Sequence, residues 1–321
     1  MNHFTTTVVA RARATPTATS RSCNITLGGL GFGNHYGRLS DHEAIEVIHE
    51  ALDGGVNAFE TSPDYGHGRA EELLGRALKE QRNDILIGTK LAVGHSAGNG
   101  ISRDAILRSL EGSLRRLRRD YVDTLSFNAP GSVADVATIM EMMEAVRASG
   151  HVRSVGFSVS STEALREALR YGTVNTVWVT YNILSRSRDP EFLSSCREAG
   201  VPVNACETFC RGLLLGRLHK NSVFEEGDVR VIDRRFRGDR FRANLQIVDR
   251  LRSFAAEEGL TLPQLTLGWV LQHPSISSAV CGARTPDQIC EIVAASATRL
   301  TLEQILEIDL IVGEDKFQAP S

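Results

Sequence analysis

Residues 152–206 read VRSVGFSVSSTEALREALRYGTVNTVWVTYNILSRSRDPEFLSSCREAGVPVNAC, and this stretch decides the fold. Val152 to Ser158 reads as a strand and Thr162 to Tyr171 as a helix. Val174 to Tyr181 is a second strand, Pro190 to Ala199 a helix ended by Gly200, and Val201 to Cys206 a third strand. Strands alternating with helices over such short distances imply a parallel sheet with right-handed crossovers.

The rhythm extends both ways. Upstream, Asp41 to Asp53 places Ala44, Ile45, Val47, Ile48, Ala51 and Leu52 at helical spacing, and Gly54-Gly55 ends it. Val56 to Phe59 reads as a strand, Ala70 to Leu78 as a helix and Ile85 to Thr89 as a strand. Ser102 is a good N-cap for a helix whose apolar stripe is Ile106, Leu110, Leu114 and Leu117. Tyr121 to Phe127 is a strand, and Val133 to Ala148 a helix stopped by Gly150. Downstream, residues 207–240 break the pattern with a long, Arg-rich segment. Helices at Asn244 to Glu258 and Leu262 to Gln272, a strand at Ile276 to Cys281, and helices at Pro286 to Ala295 and Leu302 to Val312 complete the chain. Asn24 to Phe32, with glycines at 28, 29, 31 and 33, reads as an N-terminal β-hairpin, and an eighth strand is sought near Ala297 to Leu300. The expected architecture is an α/β fold, a (β/α)8 TIM barrel occupying residues 23–321 as one domain. Residues 1–22, rich in Thr, Ala and Arg and free of acids, read as a disordered extension; they lack the apolar core of a secretory signal.

Bulk properties narrow the function classes. At 42% hydrophobic and 23% charged residues the composition is that of an ordinary globular protein, and a net charge of -3 implies neither a nucleic acid nor an anionic membrane as partner. No apolar run approaches the roughly 20 residues that span a bilayer. Six cysteines (Cys23, Cys196, Cys206, Cys210, Cys281 and Cys290) contain no C-x-x-C pair, which favours reduced thiols in a reducing cytoplasm over disulfides or a metal site.

A barrel carries its chemistry at the C-terminal ends of its strands. Those ends are Glu60, Lys90, Asn128, Ser158, Trp178 to Asn182, Cys206-Glu207 and Gly282-Ala283-Arg284. Glu60 opens the turn Thr61-Ser62-Pro63-Asp64-Tyr65-Gly66, so a carboxylate, a phenol and the amine of Lys90 fall at the ends of neighbouring strands. Such a triplet suits acid/base work on a small molecule. Asp64 is read as shaping the turn with Pro63, and His67 as a turn histidine.

At these residues the chain resembles the aldo-keto reductases, over roughly residues 24 to 312. The similar pieces come in order: Leu27 to Gly33, Gly54 to Thr61, Tyr65-Gly66, Glu71 to Gly75, Thr89-Lys90, Tyr121-Val122-Asp123, Gly212-Leu213-Leu214-x-Gly216, Gly268 to Leu271, and Gly282 to Gln288. The resemblance implies hydride transfer from NADPH to the carbonyl of an aldehyde, ketone or ketosugar. It makes Tyr65 the proton donor and Lys90 the cation that lowers its pKa. Glu60 stands where the family has an aspartate and Asn128 where it has a histidine; the potassium-channel β subunits of the family also carry asparagine there. Glu60 is one methylene longer than aspartate, and Asn128 can donate a hydrogen bond but not relay a proton.

The resemblance also assigns the cofactor seat, with departures. Ser158-Val159 replaces a Ser-Asn pair, Trp178 a glutamine, and Cys206 an aromatic residue. Arg284 matches the arginine that binds the 2′-phosphate, Gln288 a position near the adenine, and Ile292 replaces an asparagine there. Residues 207–240 match the loop over cofactor and substrate, its arginines (Arg230, Arg234, Arg235, Arg237 and Arg240) being either solvated or available to an anionic substrate. The altered seat leaves three functions open at this level. They are an NADPH-dependent reductase, a redox-neutral dehydratase, lyase or isomerase using Glu60, Tyr65 and Lys90, and a non-catalytic binding subunit.

Overall fold

Helix starts in this chain are encoded by short polar signatures. Ser40 and Glu43, Thr261 and Gln264, and Thr301 and Gln304 each form a capping box, in which side chain and backbone satisfy one another's free donors. Ser102 caps its helix as expected, accepting from Ala105 N. The computed structural model describes residues 24–80, 84–91, 102–128, 133–159, 161–171, 174–186 and 189–313. The expectation for residues 1–22 falls outside them.

Eight strands close into a barrel in sequence order, each parallel to its neighbours. They are β1 (Ile25–Gly28), β2 (Ala58–Thr61), β3 (Leu86–Lys90), β4 (Val122–Asn128), β5 (Val152–Ser158), β6 (Thr176–Thr180), β7 (Val203–Cys206) and β8 (Ile276–Cys281). Closure is made by β1 against β8, with Ile25 opposite Ala279 and Leu27 opposite Cys281. The helices are α1 (Asp41–Asp53), α2 (Arg69–Ala77), α3 (Arg103–Leu117), α4 (Val133–Arg147), α5 (Thr162–Tyr171) and α6 (Phe192–Glu198). Then come α7 (Gly238–Glu257), α8 (Leu262–Leu271), α9 (Pro286–Ala295) and α10 (Leu302–Val312). Helix α7 is inserted between β7 and the crossover helix α8, and α10 packs on it. The (β/α)8 barrel is therefore as expected.

Two details differ from the sequence reading. Residues 24–33 do not form a hairpin: Ile25–Gly28 is a fully buried barrel strand, followed by a 3-10 helix over Gly29–Gly33. The glycines serve close approach. A Cβ on Gly29 would lie 3.0 Å from Glu60 O, and one on Gly33 would lie 2.6 Å from Gly66 N and Tyr65 C. The missing eighth strand is thus β1, and residues 297–300 are not a strand.

The cysteines at 196, 210 and 281 are buried, Cys206 is half-buried and Cys290 exposed; none of these five forms a disulfide. No helix among the described residues is long and apolar enough to cross a membrane.

Candidate active site

The end of β2 and the turn after it carry the first two groups. Ser62 shapes the turn: its Oγ accepts from Asp64 N at 3.2 Å and its carbonyl from Tyr65 N at 3.0 Å. Gly66 has φ +64°, and the Gly33 backbone lies directly against it. This close approach fixes the height of Tyr65 over the barrel. Gly33→Ala is expected to destabilise the fold by about 1–3 kcal/mol and to displace Tyr65, because the clash is with backbone and cannot be relieved by a rotamer. Denaturant unfolding measures the first effect and turnover the second.

The carboxylate, phenol and amine do meet. Glu60 Oε1 accepts from Tyr65 Oη at 3.5 Å and lies 3.6 Å from Lys90 Nζ. The extra methylene of glutamate thus lets one oxygen bridge both partners. Burial pushes the Glu60 carboxyl above its ordinary range against the pull of Lys90. Burial also opposes the charge on Lys90, but Glu60 and its other acidic neighbours outweigh it and the amine is raised. Tyr65 moves opposite to the sequence expectation. Burial first, and then the negative charge of Glu60, push the phenol well above its ordinary value. The protonated phenol is the form this site holds.

Around this centre stand the other strand ends. Asn128, Ser158 and Trp178 are register neighbours across β4, β5 and β6, and Thr180 is paired with Cys206 of β7. Trp178 is 5% exposed and its ring leans over Gly156, where any Cβ would fall 2.0 Å from it. It fills the barrel interior, while its Nε1 has no hydrogen-bond partner. The Cys206 thiol is close enough to interact with Lys90 and Glu60, and burial pushes it up to about 12, so it remains neutral.

At the β8 end, Arg284 donates to the carbonyls of Tyr36 and, at 2.7 Å, of Arg38. Its Nε is buried without a partner, and its backbone N–H donates to Gln288 Oε1 at 2.8 Å. Two of five guanidinium N–H groups are therefore engaged with backbone carbonyls. Ile292, by contrast, is buried in the core and offers a ligand nothing.

The long segment after β7 is tied down by its own charges. Arg230 pairs with Asp228, and Arg235 with both Asp233 and Glu207. Arg211 joins Glu207 to Asp233. Burial works against Asp228 and Asp233 as anions, but their arginines outweigh it and hold both carboxyls low. Arg230 and Arg235 are thus structural cations. Glu207, Cys210 and Arg211 all have positive φ near +50°, a run of strained backbone at the barrel mouth.

Three contributors were not read from the sequence. Glu71 of α2 is fully buried, accepting from Thr89 Oγ1 and from Arg116 Nε, each at 2.6 Å. His35 accepts from Gly66 N at 3.3 Å through Nε2 and faces the Tyr65 ring. Residue types carry no signal for either arrangement, since each joins segments far apart in the chain.

Comparison with known proteins shows the family and the fold. The aldo/keto reductase family model matches residues 24–312. The chain is 28% identical over 286 residues to the aldo-keto reductase YhdN of Bacillus subtilis, covering 87% of this chain and 86% of that one. It is 32% identical over 291 residues to a probable voltage-gated potassium channel subunit beta of Arabidopsis thaliana, covering 82% and 84%. Among solved structures, the glycerol dehydrogenase of Gluconobacter oxydans superposes with a TM-score of 0.80 at 27% identity, covering 93% and 94%.

Proposed function

The chain belongs to the aldo/keto reductase family and is a carbonyl-reducing oxidoreductase, and on that premise we propose that it uses NADPH, with Tyr65 as the proton donor. The observation that carries this reading is the contact of Tyr65 and Lys90 with one oxygen of buried Glu60 at the mouth of the barrel.

Two buried donors without partners support the fit of a dinucleotide, since buried polar groups are normally hydrogen-bonded. Arg284 Nε belongs to a guanidinium suited to a 2′-phosphate. Trp178 Nε1 belongs to the residue in register with Ser158, at the position of the family's glutamine. Arg284, with Gln288, would hold the adenosine phosphate end, and Ser158, Trp178 and Cys206 would border the nicotinamide. Bound there, the nicotinamide supplies the hydride. The chain's own residues do the rest. Asn128, at the end of β4, would orient the carbonyl through its side-chain amide. Tyr65 gives its phenolic proton to the developing alkoxide. Lys90 stabilises the phenolate so formed, and Glu60 holds Lys90 in place. The altered seat places the weight of cofactor binding on the Arg284 end.

The test is binding and turnover with purified protein. NADPH is expected to quench tryptophan fluorescence and to be oxidised only when an aldehyde or ketone is added. Absence of binding at millimolar NADPH would sink the proposal, and turnover without nucleotide that depends on Tyr65 would favour the redox-neutral reading. Arg284→Ala is expected to weaken NADPH by about 10–100-fold, the loss of charge-assisted hydrogen bonds worth roughly 1.5–3 kcal/mol, while leaving NADH affinity little changed. Equal losses for both nucleotides would remove Arg284 from the 2′-phosphate.

A further inference from the structure

We propose that His35 is a positioning residue for the Tyr65 turn and holds that turn only while its imidazole is uncharged. The catalytic consequence rests on the reductase reading above; the structural part stands without it.

His35 lies in the connection between β1 and α1, next to Asn34, the C-cap of the Gly29–Gly33 helix. Its Nε2 accepts a hydrogen bond from Gly66 N–H at 3.3 Å. Its ring stands edge-on to the Tyr65 ring, with centroids 6.0 Å apart and planes at 74°. The backbone of His35 is held from the far side, its carbonyl accepting from Val229 N at 2.9 Å. The long segment after β7 thus anchors the His35 backbone while its imidazole meets the turn that carries the phenol.

A nitrogen that accepts has no hydrogen. The contact with Gly66 requires the tautomer with its proton on Nδ1. A second proton goes to Nε2 and turns an acceptor into a donor aimed at another donor. The attraction becomes repulsion. Gly66 is closely packed, with the Gly33 backbone against both its N–H and the His35 ring, so the strain is passed along the turn. The displacement falls on its neighbour, Tyr65. Misplacement of a reacting group by about 1 Å costs on the order of 10²-fold in rate, so a smaller shift is enough to show in turnover.

Charged and titratable groups face this contact from several elements. The turn itself supplies Tyr65 and Asp64, with Glu60 and Lys90 behind the phenol. From α2, Arg69 bonds the Phe32 carbonyl and lies 3.4 Å from Asn34 Oδ1. The long segment contributes the Asp228–Arg230 pair beside Val229, with Arg230 also over the Tyr36 ring. Arg284 reaches the Tyr36 carbonyl. Asp228 and Arg230 balance each other. The device is thus the single hydrogen bond between His35 and Gly66, and replacing its acceptor tests it.

The experiment uses the full chain as wild type, His35→Gln and His35→Phe. Gln places a carbonyl oxygen near the position of Nε2 and does not titrate. Phe keeps a ring and removes the acceptor. With saturating NADPH and a carbonyl substrate, wild-type kcat is expected to fall as Nε2 takes up a proton. His35→Phe is expected to lower kcat about tenfold at neutral pH through loss of positioning, with no acid limb assignable to residue 35. His35→Gln is expected to recover most of that loss and to lack the acid limb. An acid limb that persists in His35→Gln overturns the proposal, as does wild-type kcat in His35→Phe. Nitrogen-15 NMR of labelled histidine, read as the signal lost in His35→Gln, should show the Nδ1–H tautomer. The Gly66 amide resonance should move with the titration of that histidine. An Nε2–H tautomer overturns the proposal whether or not the protein turns over. If no carbonyl supports NADPH oxidation, the reductase reading fails and the NMR result alone decides the role of His35.

Discussion

Tyr65→Phe is expected to lower kcat for NADPH-dependent carbonyl reduction by about 10²–10⁴-fold, the ordinary contribution of a positioned general acid. The ring remains and the packing against His35 survives; only the proton is removed. NADPH binding should be unchanged, so fluorescence quenching separates loss of chemistry from loss of the site. The phenol suits the role because burial and Glu60 both resist its ionisation. Sign follows directly: the protonated form is the active donor, and a raised pKa keeps it protonated as pH rises through the neutral and mildly alkaline range. Reduction should therefore show no alkaline loss there from Tyr65. Glu60→Gln is the informative companion, because it removes the negative charge that raises both partners. Lys90 then loses its buried counter-ion while Tyr65 loses an electrostatic obstacle to ionisation. An alkaline limb that moves to lower pH in Glu60→Gln would show that the carboxylate governs the phenol; an unmoved limb would assign control to burial. If Tyr65→Phe retains more than a tenth of wild-type kcat, the proton comes from elsewhere and the proposed mechanism is wrong.

What the sequence made legible follows from the range of the interactions. Strand and helix alternation is local, so the barrel and the strand ends were readable from spacing alone. That spacing alone brings Glu60, Lys90, Asn128, Ser158, Trp178, Cys206 and Arg284 to one rim. β1 was misread because glycine speaks for both a turn and a close approach, and only the contact of Gly33 with Gly66 separates the two. The phenol's direction of shift was misjudged for a related reason. Residue types announced a cation beside Tyr65, but the oxygen of Glu60 comes between the two in the fold. Trp178 stands at a glutamine position of the family, and its lean over Gly156 shows that it fills the barrel interior instead. The arginines of the long segment read as either solvated or available to an anionic substrate, yet Arg230 and Arg235 find aspartates two residues away. Glu71, Arg116 and His35 were invisible because their partners lie 18 to 45 residues off in the chain.

Glu71→Ala should have the largest effect on stability of any single change argued for this protein. Its carboxylate is wholly buried and carries two short bonds, to the Thr89 hydroxyl and to Arg116 Nε. Removing one partner of a buried ion pair costs roughly 3–5 kcal/mol, since the remaining charge is left without compensation. Arg116 keeps 27% of its side chain accessible to water, which places the expected loss near the lower end, about 3 kcal/mol. The same network braces the site from below. Thr89 immediately precedes Lys90 on β3, and the Arg116 side chain packs against Gly68, where a Cβ would fall 2.5 Å from it. Loss of Glu71 frees both contacts, so turnover should fall along with stability. A double substitution separates the two causes. Glu71→Leu with Arg116→Met removes both charges and keeps apolar volume, and such replacements are often neutral or stabilising. Urea unfolding at constant m-value should show a much smaller loss for the double variant than for Glu71→Ala alone. Its turnover should remain depressed, because the hydrogen bond from the Thr89 hydroxyl and the guanidinium packing on Gly68 are still missing. Full recovery of turnover together with stability would show that the pair supports the fold only and leaves Tyr65 and Lys90 unaffected.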